Sequence, residues 1–247
     1  MSEEIKKYKV DFEAVANLIA REEDGRFHPK SAHKYSPTEL CGCIRNSFFS
    51  RKFPVEYDDF SYRNFFLGNV FHEIFQSKMN DLEFRKKIKD KLGIDIEHVE
   101  NEKAFHYLLP SEKTNGRRVI ISGRLDTVIY LRGEEKPYVV DYKTVSDGKY
   151  QLKEGKSKIE HQRQVNFYLG VTLGDEGGVI YIDKRRFWII QYEFSFDGKM
   201  FDEMIAFAVQ LDDCLEKDVV PSVSTAEQYK AGNCQYCKHS SRCSKIQ

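Results

Sequence analysis

Two carboxylates and a lysine define the chemistry this chain offers. In Asp141-Tyr142-Lys143 the outer residues lie two apart, so on an extended strand both side chains leave the same face. The run leading into them, Val139-Val140, is apolar, the pattern of a buried strand emerging into a cleft. Asp126, in Gly123-Arg124-Leu125-Asp126, falls on the preceding predicted strand, and a hairpin through Gly133-Glu134-Glu135-Lys136-Pro137 brings it opposite Asp141. Two acids beside an ammonium suit metal-assisted hydrolysis of a phosphodiester. The carboxylates hold Mg²⁺ or Mn²⁺, the cation stabilises charge developing on phosphate, and Lys143 orients or helps to deprotonate the attacking water. An ordinary cross-strand salt bridge accounts for the same triplet.

Further residues bear on that choice. Gly68 and His72 lie one helical turn apart, and the missing side chain at 68 would permit close approach of a backbone or substrate. His72 is either an added metal ligand, which would favour Mn²⁺ over Mg²⁺, or a satisfied buried histidine. Gln164 and Tyr168 share a helical face just after the acidic strand, placed to contact DNA or to hold the ligands, or simply to form a polar helix edge. Cys234-x-x-Cys237, followed after five residues by Cys243, offers three thiolates to one metal centre. The fourth ligand comes from elsewhere, with Cys41, Cys43, Cys214 or His239 as candidates. Spacing alone does not separate zinc from iron and sulfur. A ligand at 41 or 43 would close a loop of most of the chain, making the centre chiefly structural.

The elements that position these residues follow from periodicity. The chain has 247 residues, 39 Lys+Arg against 39 Asp+Glu, and is 40% hydrophobic, enough to fill a core and too balanced for a surface coated in phosphate-binding cations. The sequence has no membrane-spanning apolar run and no secretory h-region, which predicts a cytoplasmic protein; there thiols stay reduced, so metal ligation is a better use of six cysteines than disulfides. A helix is expected over 11–22 within an N-terminal extension of residues 1–35. Ser36-Pro37-Thr38-Glu39 then starts a helix running to about Lys52, with a second over 61–80. Three strands follow at 103–109, 117–131 and 137–145. A helix at 159–172, strands over 178–184 and 186–194, and a helix over 199–217 complete the chain. The order predicts an α/β fold, a mixed central β-sheet flanked by helices.

In sequence order, Ser36 to Cys43-Ile44-Arg45, Gly68-x-x-x-His72, Gly123-Arg124-Leu125-Asp126, Val140-Asp141-Tyr142-Lys143, Gln164-x-x-x-Tyr168 and Cys234, Cys237, Cys243 resemble the RecB-like branch of the PD-(D/E)XK nuclease superfamily, and most closely its CRISPR-associated exonucleases with an iron-sulfur cluster. The resemblance spans roughly residues 36–245. It implies a restriction-endonuclease-like core in one domain, 36–247, with 36–58 and 218–247 forming the cluster region. It implies that His72, Asp126, Asp141 and the Tyr142 carbonyl bind Mn²⁺ or Mg²⁺, that Lys143 is the catalytic lysine, and that Gln164 and Tyr168 complete the site. Cys43, Cys234, Cys237 and Cys243 would hold a 4Fe-4S cluster, with 2Fe-2S or Zn²⁺ as alternatives and Cys41 as the alternative to Cys43. The implied activity is metal-dependent, 5′ to 3′ exonucleolytic cleavage of single-stranded DNA, with CRISPR integrase proteins as partners in antiviral defence. A stand-alone repair or viral exonuclease stays open, as does a non-catalytic DNA-binding assembly subunit gripping phosphate with segments 146–163 and 228–247. No G-x-x-x-x-G-K-[ST] motif occurs, which excludes the helicase-nucleases of the branch.

Overall fold

The computed structural model describes residues 12–22, 30–146, 156–222, 234 and 237–243. Much of the expected phosphate-gripping segments, 147–155, 228–233, 235–236 and 244–247, lies outside these. Helix α1 (Phe12–Glu22) packs along α4 (Asp59–Asn80), tied by Arg21 to Asp59 and Glu56. At the end of the extension expected over 1–35, Lys34–Tyr35 form strand β1, and buried Tyr35 donates its hydroxyl to Asp212 at 2.7 Å.

Ser36 starts a helix as its type and place dictate, accepting from the Glu39 amide at 3.3 Å with Pro37 at the first helical position. That helix does not run on to Lys52. It stops as α2 (Pro37–Leu40), and Cys43, extended at φ −80° and ψ 125°, precedes α3 (Ile44–Lys52). Gly42 lowers helix propensity at the break; Ser47 Oγ of α3 donates to the Glu39 carbonyl of α2 at 2.6 Å, and Cys41 Sγ closes the end of α2 on the Pro37 carbonyl at 3.0 Å. The Glu39 carboxylate turns away from the helix start and pairs with Arg51 at 2.7 Å and Lys30 at 2.9 Å. Asp58 caps α4 through the Ser61 amide at 2.8 Å. An additional helix, α5 (Leu82–Leu92), is capped by Asp81 and ended by Gly93 in the left-handed region at φ 72°.

Among the described residues the sheet has six strands: β1, β2 (Ile96–Leu108), β3 (Ile120–Leu131), β4 (Tyr138–Val145), β5 (Glu176–Asp183) and β6 (Ile189–Ser195). Between β4 and β5 the chain crosses over through α6 (Ile159–Thr172), which makes that pair parallel; β5 and β6 form an antiparallel hairpin, and α7 (Gly198–Glu216) follows. The last strand starts at Ile189 rather than at Arg186, because residues 184–187 form the hairpin turn. The large core lies between the sheet and α2, α3, α6 and α7, where Leu40, Phe49, Leu125, Val139, Phe167, Tyr181 and Phe207 are buried together. On the other face Val140, Tyr142 and Ile182 pack against Phe71 and Phe75 of α4. This is the expected mixed sheet flanked by helices. Among the described residues no helix is long and apolar enough to cross a membrane.

Candidate active site

The pairing of β3 creates an opening in the sheet. β2 occupies one edge of β3 from Ile120 to Leu131. On the other edge, among the described residues, β1 pairs with Ile120–Ile121 and β4 with Thr127–Ile129 only. Asp126 sits at the margin of the interval between them. Its Oδ2 accepts from the Tyr142 amide at 2.8 Å, so a side chain takes the bond a ladder carbonyl would otherwise make. This puts Asp126 beside Asp141-Tyr142-Lys143, as the predicted hairpin requires.

On β4, Asp141 is fully buried. Lys143 Nζ lies 2.8 Å from Asp141 Oδ2, and Gln164 Nε2 donates to Asp141 Oδ1 at 3.1 Å and to the Tyr168 hydroxyl at 2.8 Å. Gln164 and Tyr168 share one face of α6 as expected, but both are buried, so they hold the carboxylate rather than face solvent. From α4, His72 brings Nδ1 to 3.6 Å from Asp126 Oδ2, with its ring 5.7 Å from that of Tyr142. Gly68 is less constrained than its spacing suggests: a Cβ there would meet only the Thr144 hydroxyl, at 3.4 Å, the edge of ordinary contact.

One residue of the cluster was not singled out by sequence. Glu102 lies between the β2–β3 pairs Asn101↔Thr127 and Lys103↔Leu125 with φ 50°, a backbone region that non-glycine residues rarely adopt and that is found at functional sites. Ligand atoms of His72, Glu102 and Asp126 all lie within 4.8 Å of one another. Gln76 of α4 donates to the Glu102 carboxylate at 2.9 Å and to the Asp126 carbonyl at 2.8 Å, while Asn101 donates to the Gln76 carbonyl at 3.0 Å. In the sequence Glu102 is one acid in the polar stretch Glu100-Asn101-Glu102-Lys103, and nothing local marks its conformation.

Burial and the paired charges together set the electrostatics. Burial, then the neighbouring Asp141 charge, hold the Asp126 carboxyl well above its ordinary range, despite Lys143 and the Tyr142 amide. Burial works against the Lys143 ammonium, but Asp141 and Asp126 outweigh it and raise the amine above its ordinary value. In this arrangement Lys143 is a charged donor beside the two carboxylates. Burial, then Lys143, lower His72, which favours the neutral imidazole a metal ligand must be. One imidazole nitrogen and several carboxylate oxygens around one opening are a donor set for Mn²⁺ or Mg²⁺.

The thiols occupy a second region. Cys43 and Cys243 lie against the large core, and Cys234, Cys237 and Cys243 are drawn together by turns in which the Cys237 amide donates to the Cys234 carbonyl at 3.2 Å and the Cys243 amide to that of His239 at 2.9 Å. The Cys237 thiol is raised by burial and then by Cys43, Cys234 and Cys243, so these groups are near enough to act on it. Their sulfurs do not all lie within 4.8 Å of each other. Arg45 directs a guanidinium nitrogen to 3.5 Å from Cys243 Sγ, a charge suited to thiolate. Cys41 faces elsewhere: it is buried, bonded to Pro37, and its electrostatic neighbours are Lys143, Arg163 and Asp141. His239 is a buried histidine with Nε2 3.2 Å from Ser50 Oγ, and Cys214 stays in α7.

Residues 60–244 match the family model of the PD-(D/E)XK nuclease superfamily. The chain belongs to this superfamily and is a nuclease by descent. Its fold is similar to that in the crystal structure of SSO0001, at 19% identity and a TM-score of 0.56 over 96% of this chain and 98% of that one. LHK-Exo in complex with dAMP gives 12% identity and a TM-score of 0.46 over 75% of this chain and 89% of that one. The alkaline exonuclease LHK-Exo from Laribacter hongkongensis gives 13% and 0.43 over 75% and 91%. At these identities the likeness is one of fold. No curated protein matches the chain.

Proposed function

We propose that the chain is a Mn²⁺- or Mg²⁺-dependent deoxyribonuclease that degrades single-stranded DNA from an end, with 5′ to 3′ polarity. The observation that supports it most is the meeting of Asp126, Asp141 and Lys143 with His72 at the open edge of β3. In this reading His72, Asp126, Asp141 and the Tyr142 carbonyl hold the cation, which when bound stabilises charge developing on the phosphate. Lys143 orients the water and binds phosphate oxygen as an ammonium. Gln164, itself fixed by Tyr168, keeps Asp141 aimed, and Gln76 does the same for Glu102, whose exposed carboxylate reaches toward the same opening.

The reading extends to the thiols. Residues 36–247 form one nuclease domain, in which 36–58 and 218–247 carry a 4Fe-4S cluster on Cys43, Cys234, Cys237 and Cys243, with 2Fe-2S or zinc as other occupants the donors accept. The influence of Cys43, Cys234 and Cys243 on the Cys237 thiol and the Arg45 contact support this set over one using Cys41. A cytoplasmic setting keeps these thiols reduced. The ordered motifs support a place beside integrase proteins in CRISPR spacer acquisition; co-purification with an integrase separates this from a stand-alone repair or viral role.

The test is degradation of end-labelled single-stranded DNA with Mn²⁺ or Mg²⁺. Wild type cuts and EDTA stops it; Asp126→Ala and Lys143→Ala that cut at the wild-type rate would end the assignment. Anaerobic purification tests the cluster: a brown protein fits iron-sulfur and a colourless one with stoichiometric zinc does not, while loss of the bound metal in Cys43→Ala and its retention in Cys41→Ala fit the proposed ligands.

A further inference from the structure

The β5–β6 turn carries aromatic groups that the hydrolytic site does not use. Its frame is hydrogen-bonded: Asp183 Oδ1 accepts from the Arg185 and Arg186 amides at 2.8 and 3.1 Å, and the Phe187 amide donates to the Asp183 carbonyl at 2.7 Å. The Lys184 amide is tied to the Val145 carbonyl at the end of β4 at 2.8 Å, and Lys184 Nζ reaches Asn64 of α4 at 2.7 Å. On this frame Phe187 and Trp188 remain 58% and 49% exposed.

Their setting is ordered. Phe187 stacks on Phe75, with centroids 6.4 Å apart and planes at 25°, and touches Phe71 at 5.9 Å. Phe75 in turn lies 5.4 Å from Tyr142, whose amide binds Asp126. Arg186 covers Trp188 at 4.6 Å. One face of each aromatic is thus supported and much of its surface is open. Arg185 and Arg186 stand beside them, and the support runs through α4 next to His72.

We propose that Phe187 and Trp188 are a stacking platform for unpaired bases of DNA whose backbone enters the cleft at Asp126 and Asp141, with the Arg186 guanidinium positioned for phosphate. Aromatic faces take any base, and basic groups beside them track the backbone, the combination that grips single strands without reading sequence. A duplex presents its bases stacked on one another, so the platform selects single-stranded ends. The inference rests on the nuclease reading of the neighbouring site.

Trp188 is the single tryptophan of the chain, so its fluorescence reports directly on this surface. Titrating the full-length protein in EDTA with oligothymidylate should quench it, and blunt duplex should not. By anisotropy of a labelled oligothymidylate, Phe187→Ala and Trp188→Ala should each weaken binding by roughly tenfold, Trp188→Phe should recover most of it, and Arg186→Ala should lower the salt slope by about one. Unmoved fluorescence with wild-type affinity in both alanine variants overturns the platform, even where wild type cuts DNA. So does equal quenching by blunt duplex, or quenching by anionic vesicles and not by DNA. Quenching by oligothymidylate in a protein that cuts nothing with Mn²⁺ supports the platform and removes the nuclease reading.

Discussion

Replacing Lys143 with methionine removes the ammonium while keeping most of the aliphatic stem. Asp141, fully buried, would then keep Gln164 as its partner on Oδ1, while Oδ2, which lies 2.8 Å from Lys143 Nζ, meets no hydrogen-bond donor of suitable geometry among the described residues. At that separation and an effective dielectric of about 20 the Coulomb attraction is ~6 kcal/mol before desolvation is counted. Removing one partner of a buried pair costs about 3–5 kcal/mol. Because 23% of the Lys143 side chain is exposed, the lower end applies, about 3 kcal/mol or roughly 6–12 °C in melting temperature for a domain of this size. The loss should be largest in chelator and smaller in Mn²⁺, since a cation on the carboxylates replaces the missing charge. DNA cleavage should fall by about 10²–10³. Thermal unfolding with and without Mn²⁺, beside single-turnover cleavage, measures all three effects. In the Asp141→Asn, Lys143→Met double variant the loss should be less than the sum of the singles. A variant that melts like wild type in chelator, or cuts as fast, refutes the account of this pair.

Glu102→Gly should gain about 1 kcal/mol of stability by relieving the left-handed backbone, yet weaken Mn²⁺ binding; denaturant unfolding and a Mn²⁺ titration would catch the opposite result in either. Asp126 is raised above its ordinary 3.8, so the chelated folded state holds an extra proton, and stability contributed by this group falls as pH rises from 3.8 through the folded value. The cation must displace that proton, so Mn²⁺ affinity measured calorimetrically should climb with pH over the same interval, and a flat profile would contradict the shift. Asp212 behaves oppositely. Burial pushes its carboxyl up, but hydrogen bonds from His33, Tyr35 and Arg117 prevail and lower it, so its stabilisation is present above 3.8 and lost as pH falls through the depressed value. Asp212→Ala should cost about 3 kcal/mol and blunt that acid sensitivity.

Much of this was legible along the chain. Ser36-Pro37, the α4 and α6 periodicities and the apolar Val139-Val140 run before Asp141 are local signals, and the helices and strands they predict form close to those positions. The Gly42 break, the long β2 and the turn over 184–187 were not, since competing hydrogen bonds from Ser47, the β3 ladder and Asp183 decided them. Glu102 was missed for a related reason: its side chain joins the cluster only because the backbone leaves strand geometry at one residue, and no residue type announces that.

The sequence by itself determined which groups are available and which share a face, because a strand repeats every two residues and a helix every 3.6. Only the tertiary structure decided which faces meet. The β3–β4 hairpin already set Asp126 against Asp141, but His72 joins them only because α4 lies across Tyr142, and Glu102 only because β2 leaves strand geometry beside Asp126. Those contacts join residues distant along the chain, where burial and charge, not local preference, set the outcome.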